Sequence, residues 1–257
     1  MPGRRAGLTR RVGERPHRAH RARRRRAVPP VSGADAVATV PDGAPVVFDL
    51  DGTLVRSEHV HRRIWARFFA EWGAEVDDDT YRHRFMGRRA VDVLREVVGP
   101  WRGQDPDELA AQLAGHGSAL AEDVDVVPGA PALLRSLAER GHRLAVVTSA
   151  RRSWADRVLG DVLGAAPLVE LVVTAEDVVR GKPDPEGYLA ACRRLAAEPG
   201  GCVAFEDSVA GVSSLVAAGM GTIVGVRTTA GDAELTAAGA HRTVPDLTPD
   251  RLLGPAA

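Results

Sequence analysis

From residue 44 onward the chain alternates between short runs of β-branched residues and longer stretches of helical periodicity. Residues 45–48, 144–147, 171–173, 202–205 and 222–226 read as strands, and helix-length segments fill the gaps after the first crossover. Continuous apolar strands separated by helices specify a parallel sheet covered on both faces. The fold class is therefore α/β with a Rossmann-like parallel core. Asp184-Pro185-Glu186 and Asp105-Pro106-Asp107-Glu108 each place a capping residue before a proline at a helix start, with proline expected at the first helical position. Gly141 and Gly219 stand where helices should stop, and a helix should begin near Arg152.

One interval breaks the rhythm. The first two strands are separated by residues 49–143, whereas a crossover needs only about a dozen residues. Within that interval Ile64, Trp65, Phe68, Phe69 and Trp72 fall on one wide helical face, a pattern of core packing, and no strand is evident between 57 and 125. We read residues 57–125 as a helical cap inserted after the first strand, and residues 44–56 and 126–257 as the core. An insertion there would hang over the sheet edge as a lid.

Residues 1–43 form an Arg-rich arm. Its first 26 residues carry eleven arginines and a single acid, Glu14, a net of +10, so the overall charge of zero leaves the body at −10. Lacking apolar periodicity, the arm is expected to be disordered. It is either a polycation for nucleic acid or a solvated tail, and the tail is the simpler reading. No apolar run approaches the ~20 residues needed to span a bilayer, and no signal sequence follows the arginine pairs, so a cytoplasmic location is expected. Cys192 and Cys202 suit small buried positions in a reducing compartment.

The candidate chemistry lies at the ends of the strands. Asp49-Leu50-Asp51-Gly52-Thr53 follows the first strand and delivers two carboxylates to the sheet's carboxyl edge, where open α/β proteins hold ligands. Such a run is either an acidic turn or a pair that needs a cation or separate roles. Thr148 and Ser149 end the second strand beside a helix start, a place for a cap or for phosphate. Lys182 is the only lysine, beside 33 arginines, in the loop Gly181-Lys182-Pro183-Asp184-Pro185. A composition that otherwise uses arginine keeps one compact ammonium for a reason. Glu206 and Asp207 end the fourth strand. Four acids on one edge call for a hard cation such as Mg²⁺, and no Cys/His spacing suits zinc. His59 and His61, two apart on a helix, are not a metal pair.

These four segments, in this order, resemble the haloacid dehalogenase-like superfamily, in its branch with a helical cap after the first motif. The resemblance implies Asp49 as nucleophile forming an aspartyl-phosphate and Asp51 as general acid and base. It implies Thr148 and Lys182 as ligands of the transferring phosphoryl group. Mg²⁺ would sit on Asp49, the Asp51 backbone carbonyl and Asp207, with Glu206 assisting. An acid at position 51 argues against a dehalogenase.

Further segments, including Phe205-Glu206-Asp207-Ser208-Val209-Ala210-Gly211, look most like the glycerol-phosphate and 2-deoxyglucose-6-phosphate phosphatases and the β-phosphoglucomutases. Gly87-Arg88-Arg89 resembles a cap loop whose arginine, here Arg89, meets substrate. His61 and Arg151 match basic positions of the mutases, but the mutase arginine would fall at Ala90. Arg56 departs from an acidic residue common there. The leading expectation is a Mg²⁺-dependent phosphatase of a small sugar or polyol phosphate, for which a monomer suffices. A phosphoglucomutase-like isomerase is the alternative, and a nucleic-acid-associated protein acting through the arm ranks below both.

Overall fold

In the computed structural model, which describes residues 10–11, 40–117 and 124–253, six parallel strands form one sheet. In chain order the strands are β1 (Arg10–Arg11), β2 (Val46–Phe48), β3 (Val55–Arg56), β4 (Ala74–Glu75), β5 (Asp125–Val126), β6 (Leu144–Val147), β7 (Leu171–Val173), β8 (Val203–Glu206), β9 (Thr222–Val226) and β10 (Arg242–Val244). The helices are α1 (Glu58–Glu71), α2 (Asp78–Arg84), α3 (Ala90–Glu96), α4 (Pro106–Gly117), α5 (Ala130–Glu139), α6 (Arg152–Arg157), α7 (Glu186–Arg194), α8 (Val209–Ala218), α9 (Asp232–Ala238) and α10 (Asp250–Leu253). The main sheet runs β10-β9-β8-β2-β6-β7, and β2 lies at its centre between β6 and β8.

Successive side chains of β2 serve opposite faces, as a pleated strand requires. Val46 and Phe48 join one buried cluster with α5, and Val47 joins the other with α7 and α8. Phe48 stacks on Phe205 of the neighbouring strand at 4.8 Å. Every strand expected from the apolar runs is present, within a residue at each end. One more, β10, is added at the edge; its sequence, Arg242-Thr243-Val244, lacks the apolar run that would mark it.

Residues 58–117 fold into helices α1 to α4 around a separate apolar cluster that contains Trp65, Phe68, Phe69, Phe85 and Trp101. The chain enters this segment through β3 and leaves it towards β5, and these two pair antiparallel. The stretch read as strand-free also holds β4, which pairs with β1; that pairing involves two residues of the Arg-rich arm. Residues 1–9 and 12–39, on which the expectation of disorder also falls, lie outside the described residues. Val40 is buried against the sheet cluster, so the folded body begins a few residues before 44.

The helix punctuation follows the sequence with one adjustment. Asp105 Oδ1 accepts from Asp107 N at 2.8 Å and Pro106 opens α4. Asp184 Oδ1 accepts from Glu186 N at 3.0 Å, but Pro185 is the cap residue and the helix starts one position later. Gly141 and Gly219 take the left-handed conformation at the ends of α5 and α8. Cys192 and Cys202 are buried with Sγ atoms 3.9 Å apart, in hydrogen-bond contact and without a disulfide. No helix among the described residues is long and apolar enough to cross a membrane.

Candidate active site

Because β2, β6 and β8 are parallel neighbours, their carboxyl ends deliver Asp49, Thr148 and Glu206 to one edge. Lys182 reaches the same point from the loop before α7. All four are almost wholly buried. Lys182 Nζ donates to Asp49 Oδ1, to Glu206 Oε1 at 2.7 Å and to the Val147 carbonyl at 3.4 Å. Burial disfavours the ammonium, but Asp49 and Glu206 outweigh it and its pKa is raised.

The acids differ in their partners. Glu206 is saturated: Oε1 also accepts from Tyr188 Oη at 3.2 Å, and Oε2 accepts from the Ser208 amide at 2.7 Å and from its hydroxyl at 3.0 Å. Asp49 Oδ2 is buried with no partner at all. Asp207 Oδ1 accepts from Thr53 Oγ1 at 3.3 Å. Burial, opposed by Lys182 and reinforced by Glu206, pushes Asp49 up to about 7. Burial and the charges of Glu206 and Asp49 raise Asp207 well above the usual carboxylate range.

Oxygens of Asp49, Glu206 and Asp207 lie within 4.8 Å of one another. An all-oxygen cluster with an orphaned buried carboxylate oxygen fits a hard divalent cation, which would reverse those upward shifts. The Asp51 side chain does not join this cluster.

Asp51 is held apart. Its Oδ1 accepts from Ser57 Oγ at 2.7 Å, His61 Nε2 at 3.1 Å and Trp154 Nε1 at 2.8 Å, and Oδ2 accepts from Thr148 Oγ1 at 3.2 Å. Burial works against its charge, but His61, Ser57 and Trp154 prevail and the pKa is lowered. For His61, burial is likewise outweighed, by Asp51 and Glu58, and its pKa is raised. Two carboxylates two residues apart are thus driven in opposite directions, the signature of separate chemical roles.

Gly52 makes the turn that follows them. At φ +92° it needs glycine, and a Cβ there would come within 1.8 Å of Asp207 Oδ2. Gly211 of α8 likewise leaves room for Glu206, which a Cβ would meet at 1.6 Å.

The remaining expected positions divide. Ser149 Oγ donates to the Gly87 carbonyl at 3.0 Å, joining the core to the helical segment. Arg151 is half exposed and faces Glu176 at 4.0 Å, so it is not brought to the acids. Arg89 is buried, but its guanidinium is occupied by Asp92 and by backbone carbonyls of residues 175–179. Sequence reasoning missed Ser57, Trp154 and Tyr188. Ser57 precedes α1 where a capping serine is expected, yet its hydroxyl makes no cap bond because it serves Asp51.

A parallel α/β sheet with a buried ammonium, hydroxyls and opposed carboxylates at its carboxyl edge defines an enzyme core built to handle an anionic group. The family model of haloacid dehalogenase-like hydrolases matches residues 46–219. The chain is 42% identical over 184 residues to validoxylamine A 7'-phosphate phosphatase of Streptomyces hygroscopicus subsp. limoneus, covering 71% of this chain and 85% of that one. It is 37% identical over 177 residues to hexitol phosphatase A of Escherichia coli K12, with 67% and 78% covered. The structure of CbbY from Rhodobacter sphaeroides in complex with phosphate superposes with a TM-score of 0.68 at 25% identity, covering 80% of this chain and 95% of that one. The chain belongs to the haloacid dehalogenase-like hydrolase family.

Proposed function

We propose that the chain is a Mg²⁺-dependent cytoplasmic phosphatase that hydrolyses a small sugar or polyol phosphate through an aspartyl-phosphate on Asp49. The observation that carries this reading is the unpartnered Asp49 Oδ2, set beside the Lys182 ammonium and two residues from the separately held Asp51. The two named phosphatases above, acting on a phosphorylated validoxylamine and on hexitol phosphates, support the substrate class.

Mg²⁺ would be held by Asp49, Asp207 and the Asp51 backbone carbonyl, with Glu206, whose oxygens are already engaged, assisting nearby or through water, and when bound it would offset carboxylate charge and polarise the phosphoryl group. The ionised Asp49 attacks phosphorus in line with the leaving oxygen. Asp51, held ionised by its donors, passes to that alcohol a proton drawn from the His61 imidazolium at 3.1 Å, then takes one from the water that releases phosphate and regenerates Asp49, and returns it to His61. Lys182 and Thr148 bind the phosphoryl oxygens. Helices α1 to α4 act as the cap that excludes bulk water and selects the alcohol.

The test is phosphate release from p-nitrophenyl phosphate in Mg²⁺. Asp49→Asn is expected to abolish it, and undiminished turnover by that variant refutes the assignment. A panel of sugar, polyol and glycolate phosphates then ranks the substrates. With β-glucose 1-phosphate, free glucose supports the phosphatase, and glucose 6-phosphate would identify a mutase.

A further inference from the structure

The arginine expected to meet substrate is engaged by protein groups in this structure. Arg89 caps α3 and is 7% exposed. A guanidinium has five N–H donors in a fixed fork, and here every one is matched. Nε and one Nη2 hydrogen pair with the two oxygens of Asp92 at 2.9 and 2.8 Å. Nη1 donates to the Ala175 and Val178 carbonyls at 3.1 and 2.6 Å, and Nη2 also to that of Val179. Asp92 in turn accepts from the Gly181 amide at 2.9 Å. The approach is close enough that a Cβ on Gly181 would lie 2.7 Å from Asp92 Oδ2 and 2.9 Å from Arg89 Cβ.

The same loop is held from its other side by Glu186, whose carboxylate accepts from the amides of Val179 and Arg180 at 2.8 and 3.0 Å. The next residue after Gly181 is Lys182. Three carbonyls and one amide of the segment that carries the ammonium therefore depend on two side chains of the helical segment. Lysine at 89 would offer a point charge in place of the fork and would not bridge a carboxylate and three carbonyls together.

We propose that Arg89 and Asp92 are positioning residues: a latch by which α3 fixes the 175–181 loop, so that Lys182 is set in place only while the helical cap is seated on the core. This rests on the proposed role of Lys182 in phosphoryl transfer, and it assigns Arg89 to assembling the site and not to binding substrate. Cap seating and assembly of the phosphoryl-binding cation become one event.

The full-length enzyme with Mg²⁺ is compared with Arg89→Lys and Asp92→Asn by steady-state kinetics and amide hydrogen exchange. In both variants kcat should fall about tenfold with KM within about twofold, and exchange at 178–182 should rise about tenfold while β2 and β8 stay protected. The double variant should be no worse than the poorer single, because both remove one interaction. Raised KM with kcat intact would instead make Arg89 a substrate ligand and overturn the latch, as would unchanged exchange at 178–182. Should Arg89→Lys lose cooperative unfolding, the near-isosteric Asp92→Asn carries the test. Exchange reads the latch without turnover, so a wild-type enzyme inactive on phosphate esters would refute the phosphatase reading separately.

Discussion

At the scale of single residues, the site works by giving like groups unlike surroundings. Asp49 and Asp51 leave the same strand, yet one shares Lys182 with Glu206 while the other collects donors from four side chains. Trp154 is the least expected of these donors. Its indole N–H reaches Asp51 at 2.8 Å and its ring meets His61 edge-on at 5.6 Å, so it fixes both the carboxylate and the imidazole. Trp154→Phe keeps most of the ring and deletes only the donor. We expect kcat on p-nitrophenyl phosphate to fall about three- to tenfold, the loss of one charge-assisted hydrogen bond at the proposed acid–base group. Unchanged kcat would show that Ser57 and His61 hold Asp51 unaided.

At the scale of elements, the loop between β7 and α7 is braced at its start by Asp177. Its Oδ2 accepts from Thr174 N at 2.9 Å, Thr174 Oγ1 at 2.8 Å and Arg152 Nη2 at 3.0 Å, and its Oδ1 from Arg194 Nη2 at 3.0 Å. Burial opposes the charge, but the Thr174 amide and Arg194 prevail and push the pKa down to about 2. A carboxylate depressed in the folded state stabilises fully above its unfolded value and loses that contribution as pH falls through the folded one. Its share of stability, about 2 kcal/mol at most, should therefore disappear between about pH 4 and pH 2. Asp177→Asn should lower stability at pH 7 by up to that amount and flatten the acid limb of a urea-midpoint profile; an unaltered acid limb would refute this bracing role. The strands β2, β6, β7, β8 and β9 were legible because each is a run of mostly apolar residues. Edge strand β10 escaped because Arg242-Thr243-Val244 is not an apolar run, and the Asp177 brace escaped because its cationic partners, Arg152 and Arg194, are distant in sequence. Arg89 was picked out by its motif, but a motif position specifies only a residue type, and the seated helices show which groups its fork meets.

At the scale of the whole molecule, the fold gathers Asp49, Glu206 and Asp207 into one buried point, and the Lys182 ammonium bonds two of them. Close acids in a dry environment oppose folding unless neutralised, and the unpartnered Asp49 oxygen marks where compensation is missing. A cation that binds only the folded state should stabilise by RT ln(1 + [L]/Kd), about 2.7 kcal/mol at one hundred times Kd. For a chain of this size that is a Tm increase on the order of 5–10 °C. Mg²⁺ added to the chelated enzyme should produce that shift, and EDTA should remove it together with activity. Asp207→Asn sharpens the sign, because it deletes one ligand and one repelling charge together. The metal-free variant should melt at or above the metal-free wild type, while its response to Mg²⁺ should largely disappear. A variant that melts lower without metal yet keeps the full Mg²⁺ shift would place the cation away from Asp207 and detach the acidic cluster from metal binding.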